Sequence, residues 1–389
     1  MNVDIDYQAL YTYLDDHREE MVTALGELVQ FESPSTEIRS LNRLAEHLAE
    51  RWRAVAPGVR AELLTPPGGP HHVLVSFPVS GAATLEARPA LLLGHYDTVW
   101  PIGTLDERPF TVAEDRVTGP GVLDMKAGLV IAEFALRAVA ELDLPVPRSV
   151  MLLWNGDEEV GSRTSRPYIE DEAGKSDYVL VLEPAMHGGA LKTARKGVGA
   201  FTLDVMGLAS HAGVAPEQGE SAIEELAHQI LRLQQMTDLE AGTTVNVGVI
   251  QGGSRSNVVA AHARARIDTR AWTLAEASRL EAAIRALKPV NPATTLKIKG
   301  GFGRPPMERT PEIAAMFETA RRIGLALGLD LSEGASGGGS DGNFTAALGV
   351  PTLDGLGAVG EGSHAVHEYV VASSLPRRAA LLAGLLCEL

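Results

Sequence analysis

The sequence has a single cysteine, Cys387, among its 389 residues. One thiol excludes an internal disulfide and any zinc site built from several cysteines. We expect Cys387 to pack inside a C-terminal helix that starts near Ser373. Basic residues are outnumbered, with 34 Lys and Arg against 50 Asp and Glu, for a net charge of −16. An extended surface for nucleic acid or anionic lipid is therefore not expected.

The sequence also lacks an apolar run long enough to span a membrane. Its first six residues show neither the basic nor the apolar part of a secretory signal, so we expect a cytoplasmic protein with no membrane partner. Apolar residues make up 45% of the chain, enough for large cores. The length of 389 residues is typical of two domains, one of which could be split by the other.

Three apolar runs predict buried strands, at 90–93, 150–154 and 178–182. A predicted helix at 125–142 separates the first run from the second, and a strand–helix–strand order favours a right-handed crossover and parallel pairing. We therefore predict an α/β domain with a mostly parallel sheet and helices on both faces. In such sheets ligands bind at the carboxyl ends of the strands.

Each of these runs leads into residues that can bind metals. His95 ends the first run, Glu158 and Glu159 follow the second, Glu183 follows the third, and Asp124 precedes the crossover helix. One acidic residue after a strand is ordinarily a loop or capping residue. Three strands that deliver His or Glu to one edge are harder to explain by capping, and this favours a cation site.

The pattern between 196 and 304 differs, with predicted strands at 201–206, 243–250, 258–270 and 295–298 and helices at 221–235 and 274–287. This β-α-β-β-α-β order is the ferredoxin-like pattern. We therefore predict a discontinuous α/β domain, 1–195 and 305–389, interrupted by an inserted α+β domain, 196–304. Beyond the insert, the loop 360–368 supplies two more histidines, His364 and His367.

Two histidines and three carboxylates suit two divalent ions that share one carboxylate, a site that polarises a carbonyl and activates water. The set comprises His95, Asp124, Glu159, Glu183 and His364. A further carboxylate must carry the proton from the attacking water to the leaving amine. Glu158 and Glu159 could divide the ligand and base tasks between them.

Several segments carry a family resemblance: GHYDTVWPIGT, GPGVLDMKAG, NGDEEVGS, LEPA, SHAGVAPEQGESAI and GGGSDGNFTAALGVPTLDGLG. From about Phe31 onward, the sequence resembles the zinc-dependent exopeptidases that include bacterial glutamate carboxypeptidase, aminoacylase and succinyl-diaminopimelate desuccinylase. The glutamate carboxypeptidase branch is the most similar. The resemblance implies two ions per chain, with zinc expected and cobalt or manganese as alternatives.

The resemblance also implies roles for individual residues. His95, Asp124 and Glu183 would bind one ion, Asp124, Glu159 and His364 the other, with Glu158 as general base and Asp97 orienting His95. His364 fits the family's last histidine better than His367, because Glu368-Tyr369-Val370 follows it at the family's interval.

The resemblance further implies that the discontinuous domain is the catalytic domain and that the insert, 196–304, is a lid or dimerisation domain. Three residues of the insert resemble substrate contacts. His211 would stabilise the oxyanion and, in a homodimer, would enter the partner's site. Asn257 and Arg270 would bind a substrate carboxylate, although Arg270 could instead pair with Asp268 and Asn257 could only cap a turn. Lys196 could be a solvated charge or a substrate contact. We expect no chemical role for His71, His72, His187 or His262.

The expected function is hydrolysis of an amide or peptide bond that releases a C-terminal, acidic, glutamate-like amino acid from a small molecule or short peptide. An aminoacylase or another N-acyl-amino-acid amidohydrolase with the same site is the main alternative. A serine hydrolase is a distant alternative, because Gly338-Gly339-Ser340-Asp341-Gly342 matches G-x-S-x-G, but no strand pattern precedes Ser340. The other distant alternative is a non-catalytic metal- or ligand-binding protein.

Overall fold

The computed structural model describes residues 5–79 and 87–389. The chain divides into two compact units, the first comprising Met1–Thr193, Arg309–Ala335 and Ser340–Leu389 and the second Ala194–Glu308 and Ser336–Gly339. The second unit thus begins two residues before the insert expected from the sequence and ends four residues after it. It also takes in part of the glycine-rich loop.

The helices are α1 (Tyr7–Asp16), α2 (Arg18–Gln30), α3 (Ile38–Arg53), α4 (Thr104–Glu107), α5 (Ala127–Glu141), α6 (Arg166–Lys175), α7 (Ala222–Gln234), α8 (Leu274–Arg285), α9 (Pro311–Ala326), α10 (Gly342–Ala347) and α11 (Ser374–Glu388). The strands are β1 (Arg60–Leu64), β2 (His72–Phe77), β3 (Ala90–His95), β4 (Thr111–Ala113), β5 (Arg116–Thr118), β6 (Val150–Asn155), β7 (Tyr178–Val181), β8 (Leu191–Arg195), β9 (Gly197–Met206), β10 (Thr244–Gly252), β11 (His262–Ala271), β12 (Thr295–Arg304), β13 (Glu333–Ser336), β14 (Thr352–Leu353), β15 (Gly360–Glu361) and β16 (Tyr369–Val371).

A six-stranded sheet in the order β1-β2-β6-β3-β7-β14 forms the centre of the first unit. β3 pairs in parallel with both β6 and β7, and β14 continues the parallel part on β7. β1 and β2 add an antiparallel edge. The predicted parallel sheet is therefore confirmed, and the carboxyl ends of β3, β6 and β7 meet at one edge of it.

Alternate residues of the central strands pack on opposite faces of this sheet. Leu92 of β3 lies in the larger apolar cluster, with residues of α2, α3, α5 and α11. Leu91 and Leu93 lie in a separate cluster with Ile169 of α6 and Phe344 of α10. Because both faces are covered, the strands are buried throughout and read as continuous apolar runs. The expected helices on both faces are confirmed.

A second sheet of the first unit, in the order β15-β16-β5-β4, is built from strands of two or three residues. β16 pairs with β5, so that Val370 lies opposite Val117. This pairing brings the segment that contains His364 next to the segment that leads into Asp124. The sequence analysis did not predict it, because strands this short leave little pattern to read.

The second unit is a four-stranded antiparallel sheet, β10-β11-β9-β12, with α7 and α8 packed on it. The strand order and the β-α-β-β-α-β connectivity confirm the ferredoxin-like prediction. Residues of β11 alternate between buried and more exposed positions, as expected for a sheet with one covered face. β10 and β12 are the edge strands.

Two further observations concern the helices. α1 and α2 are separate helices, because the chain leaves helical geometry at His17, whose Nδ1 lies 2.7 Å from the Tyr13 carbonyl oxygen. Within residues 5–79 and 87–389, each helix is too short or too polar to cross a lipid bilayer.

Candidate metal centre

His95 ends β3 at the carboxyl edge of the sheet, where it is 1% exposed. Its Nδ1 lies 3.0 Å from the Asp97 carbonyl oxygen and 3.4 Å from Asp97 Oδ1. An Nδ1–H that donates to Asp97 leaves Nε2 as the bare nitrogen, which is the tautomer that a metal-binding histidine needs. Nε2 lies 3.4 Å from Asp124 Oδ1 and 3.4 Å from Glu183 Oε1.

Asp97 also holds the segment that follows β6. Its Oδ1 accepts a hydrogen bond from the backbone N–H of Glu158, and its Oδ2 accepts one from that of Glu159, each at 3.1 Å. The Ser35 hydroxyl donates to Oδ2 at 2.7 Å. One buried carboxylate therefore orients both the end of β3 and the two adjacent glutamates.

Both glutamates face the cluster around His95. Glu158 can offer an oxygen within 4.8 Å of ligand atoms of His95 and Glu183, and Glu159 does the same with His95 and Asp124. Glu159 Oε1 also lies 2.9 Å from His364 Nε2. The two neighbours thus share His95 and otherwise meet different residues.

Asp124 stands between the two histidines. Its Oδ1 lies 3.4 Å from His95 Nε2, and its Oδ2 lies 3.4 Å from His364 Nε2. A carboxylate that offers one oxygen to each histidine has the geometry of a bridging ligand between two ions.

His364 reaches this group from the loop between β15 and β16. Its backbone has φ of 62°, a left-handed conformation that is uncommon outside glycine. The side chain is 53% exposed, so this edge of the cluster is open to solvent. His367, the alternative considered from the sequence, is exposed in the same loop.

The electrostatics of the cluster favour positive charge. Burial would lower the pKa of His95, but hydrogen bonding to Asp124, Asp97 and Glu183 raises it well above its usual value. Hydrogen bonding to Glu159 raises the pKa of His364 to about 9. Burial raises the pKa of Glu159 itself. Carboxylates this close together repel one another, so the set needs protons or bound cations to be stable.

The donor set fits divalent metal ions. Imidazole nitrogens and carboxylate oxygens are the ligands of zinc and related ions. The second nitrogen of the buried histidine is held by a carboxylate, as metal-binding histidines require. All of these residues belong to the first unit.

The predicted substrate contacts belong to the second unit. His211 is exposed, its Nδ1 accepts a hydrogen bond from Gly213 N–H at 3.2 Å, and its backbone pairs with Val258. The Ala212 N–H donates to the Asn257 carbonyl at 3.0 Å. The fold therefore brings the His211 and Asn257 segments together.

Arg270 lies on β11 and pairs with Asp268. Its Nε and Nη2 each donate to that carboxylate at 2.9 Å, and Nη1 lies 3.4 Å from the Gly337 carbonyl oxygen. The ion pair anticipated as an alternative thus exists. It uses one edge of the guanidinium, and the Nη1–Nη2 edge keeps further N–H donors.

A sequence model of peptidase family M20/M25/M40 matches residues 91–388. The chain belongs to this peptidase family. Carboxypeptidase G2 of Pseudomonas sp. (strain RS-16) is 33% identical over 310 residues, 77% of this chain and 73% of that protein. Succinyl-diaminopimelate desuccinylase of Rhodospirillum centenum (strain ATCC 51521 / SW) is 30% identical over 307 residues, which cover 72% of this chain and 76% of that protein. These matches confirm the resemblance to the glutamate carboxypeptidase branch.

The fold agrees with a solved structure of the aminopeptidase PepT from Bacillus cereus ATCC 10987. The TM-score is 0.79 at 23% identity, over 95% of this chain and 98% of that one. A likeness at this identity bears on fold alone. As an M20-family member, the chain is a metallopeptidase-type hydrolase of amide or peptide bonds.

The geometry around Ser340 argues against a serine hydrolase. Ser340 is fully buried, and its hydroxyl donates to Asp354 Oδ2 at 2.7 Å. A nucleophilic serine needs an accessible hydroxyl beside a general base. His364 follows Ser340 in the sequence and could have served as that base, but it lies against Glu159 and Asp124.

Several residues that position this M20-family site were not predicted from the sequence. Ser35 bonds Asp97, while Asn155 at the end of β6 donates to Asp341 Oδ2 at 2.7 Å. Glu368, noted only for its spacing after His364, is buried against the Asp124 segment. The sequence shows that Glu368 lies four residues after a predicted ligand, but only the folded chain shows that its carboxylate is buried. The Ser35 hydroxyl and the Asn155 amide left no signal in the sequence.

Proposed function

We propose that the chain is a dinuclear metallo-carboxypeptidase that releases a C-terminal, acidic amino acid from a small molecule or short peptide. The observation that carries the proposal is the position of Asp124, which directs one oxygen toward His95 and the other toward His364, each at 3.4 Å. This arrangement fits a pair of ions that share one carboxylate.

In the proposed site His95 and Glu183 hold one ion, Glu159 and His364 hold the other, and Asp124 bridges them. Zinc is the proposed metal, with cobalt or manganese as alternatives, because the donors are imidazole and carboxylate. When bound, the ions supply Lewis-acid polarisation of the scissile carbonyl and of a water molecule.

Glu158 is the proposed general base. It accepts a proton from the attacking water and delivers it to the departing amine, so one carboxylate serves both halves of the reaction. Its proximity to His95 and Glu183 supports this role, because a proton carrier must lie within reach of the reacting atoms. Asp97 fixes its backbone through the N–H of Glu158.

His211, Asn257 and Arg270 are the proposed substrate contacts. An imidazole donor stabilises the negative charge that develops on the carbonyl oxygen. Arg270 supports the preference for a free carboxylate, because Asp268 fixes the guanidinium while one edge keeps donors for an anion. The acidic side-chain preference rests on the motif resemblance to glutamate carboxypeptidase.

A homodimer through the second unit is part of the proposal. β10 is an edge strand, with Val249 and Ile250 exposed at 47% and 61%. Ile223 and Leu231 of α7 are exposed at 48% and 63%. An unpaired edge beside exposed apolar side chains suits two-fold pairing with a second copy, which would let each chain supply His211 to its partner.

The experiment is a hydrolysis screen with N-acyl-glutamates, N-acyl-aspartates and neutral N-acyl amino acids, in zinc, cobalt or manganese, with and without chelator. We expect metal-dependent release of glutamate or aspartate at higher kcat/KM than any neutral amino acid. Equal rates with chelator would contradict the metal mechanism. A preference for neutral amino acids would contradict the acidic specificity alone.

A second candidate is an N-acyl-amino-acid amidohydrolase, such as an aminoacylase or a desuccinylase. The similarity to the Rhodospirillum centenum desuccinylase favours it. The two candidates share the metal chemistry and differ in the acyl half, so the same screen with acetyl, succinyl, aryl and peptidyl groups separates them. A cytoplasmic location stays a prediction.

A further inference from the structure

The side chain of Glu368 is a buried acceptor for four N–H groups. It is 1% exposed. Its Oε1 accepts from the backbone N–H groups of Leu123 at 2.9 Å and Asp124 at 3.1 Å. Its Oε2 accepts from the Gly121 N–H and from the Trp100 indole, both at 3.0 Å. Two segments far apart in sequence thus converge on one carboxylate.

Only a carboxylate satisfies this environment. The four partners are N–H groups that can donate and cannot accept, and each carboxylate oxygen receives two of them. A glutamine has the same shape but one acceptor oxygen, so its NH2 group would face two donors. The arrangement therefore selects for charge as well as for size.

Glu368 also links the two ligand-bearing segments. Glu368 lies four residues after His364. The next residue, Tyr369, begins β16 and pairs with Thr118 of β5. Its carboxylate accepts a hydrogen bond from the backbone N–H of Asp124 itself. The separation between His364 and Asp124 therefore depends on this side chain as well as on the pairing of β16 with β5. His95, in contrast, is held by β3 and Asp97.

We propose that Glu368 is a positioning residue that sets the distance between His364 and Asp124, and so controls occupancy of the ion site formed by Asp124, Glu159 and His364. This inference rests on the proposed dinuclear function. The two ion sites should therefore differ in how far their metal affinity depends on Glu368. The site that contains His364 should depend on it strongly, and the site that contains His95 and Glu183 much less.

The test is zinc titration of metal-free Glu368→Gln, with calorimetry and a competing chromophoric chelator to resolve two dissociation constants. Loss of a group that orients metal ligands costs about 10–100-fold in affinity. We expect one of the two dissociation constants to rise by about this much, and the other to change by less than about threefold. Saturating zinc should restore most of kcat.

The matched control is Glu361→Gln, in the same loop. That carboxylate is 52% exposed and lies 3.1 Å from His187 Nδ1. Its removal should leave both dissociation constants unchanged. If Glu368→Gln fails to fold, Glu368→Asp keeps the charge with a shorter reach and should weaken the sensitive ion by an intermediate factor.

The outcomes separate the two claims. If wild-type protein binds two ions and both Glu368 variants bind them with wild-type constants, the inference is wrong and the proposed function stands. If both ions weaken equally in Glu368→Gln, the selective role is wrong. If wild-type protein binds fewer than two ions at saturation, the proposed function fails and this inference fails with it.

Discussion

Replacing Asp97 by asparagine should damage both the fold of the first unit and its affinity for metal. Asp97 is fully buried and accepts hydrogen bonds from Ser35 and from the backbone N–H groups of Glu158 and Glu159. An asparagine offers one acceptor oxygen. Its NH2 group would then face at least one of these backbone N–H groups, so that two donors oppose each other.

The magnitude follows from those contacts. A hydrogen bond to a charged group contributes about 1.5–3 kcal/mol, and a buried donor left without a partner costs about 1–3 kcal/mol. The two effects overlap, so Asp97→Asn should lower the free energy of unfolding of the first unit by about 2–4 kcal/mol. Misorientation of His95 and the two glutamates should weaken metal binding by about 10–100-fold.

Urea unfolding of the metal-free protein and zinc titration measure the two effects. Asp171→Asn is the control, because it removes an exposed ion pair with Lys175 and should change stability by less than about 1 kcal/mol. If Asp97→Asn matches the wild type in both assays, the carboxylate does not organise this site and the reasoning is refuted.

Three other experiments test individual roles. Glu158→Gln should keep both ions and lose most of kcat, whereas Glu159→Gln should weaken metal binding; reversed phenotypes would mean that the pair is wrongly assigned. Arg270→Ala should reduce kcat/KM for free acids far more than for the matched amides, and an equal loss on both would remove Arg270 from the substrate site. Glu158→Ala and His211→Ala should each be nearly inactive, but after subunit exchange they should recover about a quarter of wild-type activity, because half the dimers are mixed and each has one intact site. Exchange without recovery would show that His211 does not act in the partner's site.

The central sheet was predictable because its physics leaves a local signal. β3, β6 and β7 are buried on both faces, so each reads as an unbroken apolar run that ends where the chain reaches the sheet edge. The ends of these runs mark His95 and Glu183 in the sequence alone, because both residues stand where an apolar run stops. The ferredoxin-like unit was predictable for the related reason that its elements alternate regularly.

The position of His364 could not be predicted in the same way. It depends on strands of two or three residues and on pairing between Val117 and Val370, which are far apart in sequence. The motif resemblance named the residue, but no local pattern showed why it lies near Asp124. Glu368 was overlooked because a lone glutamate in a loop is usually solvated, and only the folded chain reveals its four N–H partners.

The metal content of the protein tests the central claim most directly. Protein purified without chelator, saturated with zinc and freed of excess ion by gel filtration should contain two zinc ions per chain by elemental analysis. Asp124→Ala, which removes the carboxylate between His95 and His364, should lose affinity for both ions. A reproducible content of one ion or none in fully active wild-type enzyme would contradict the dinuclear account.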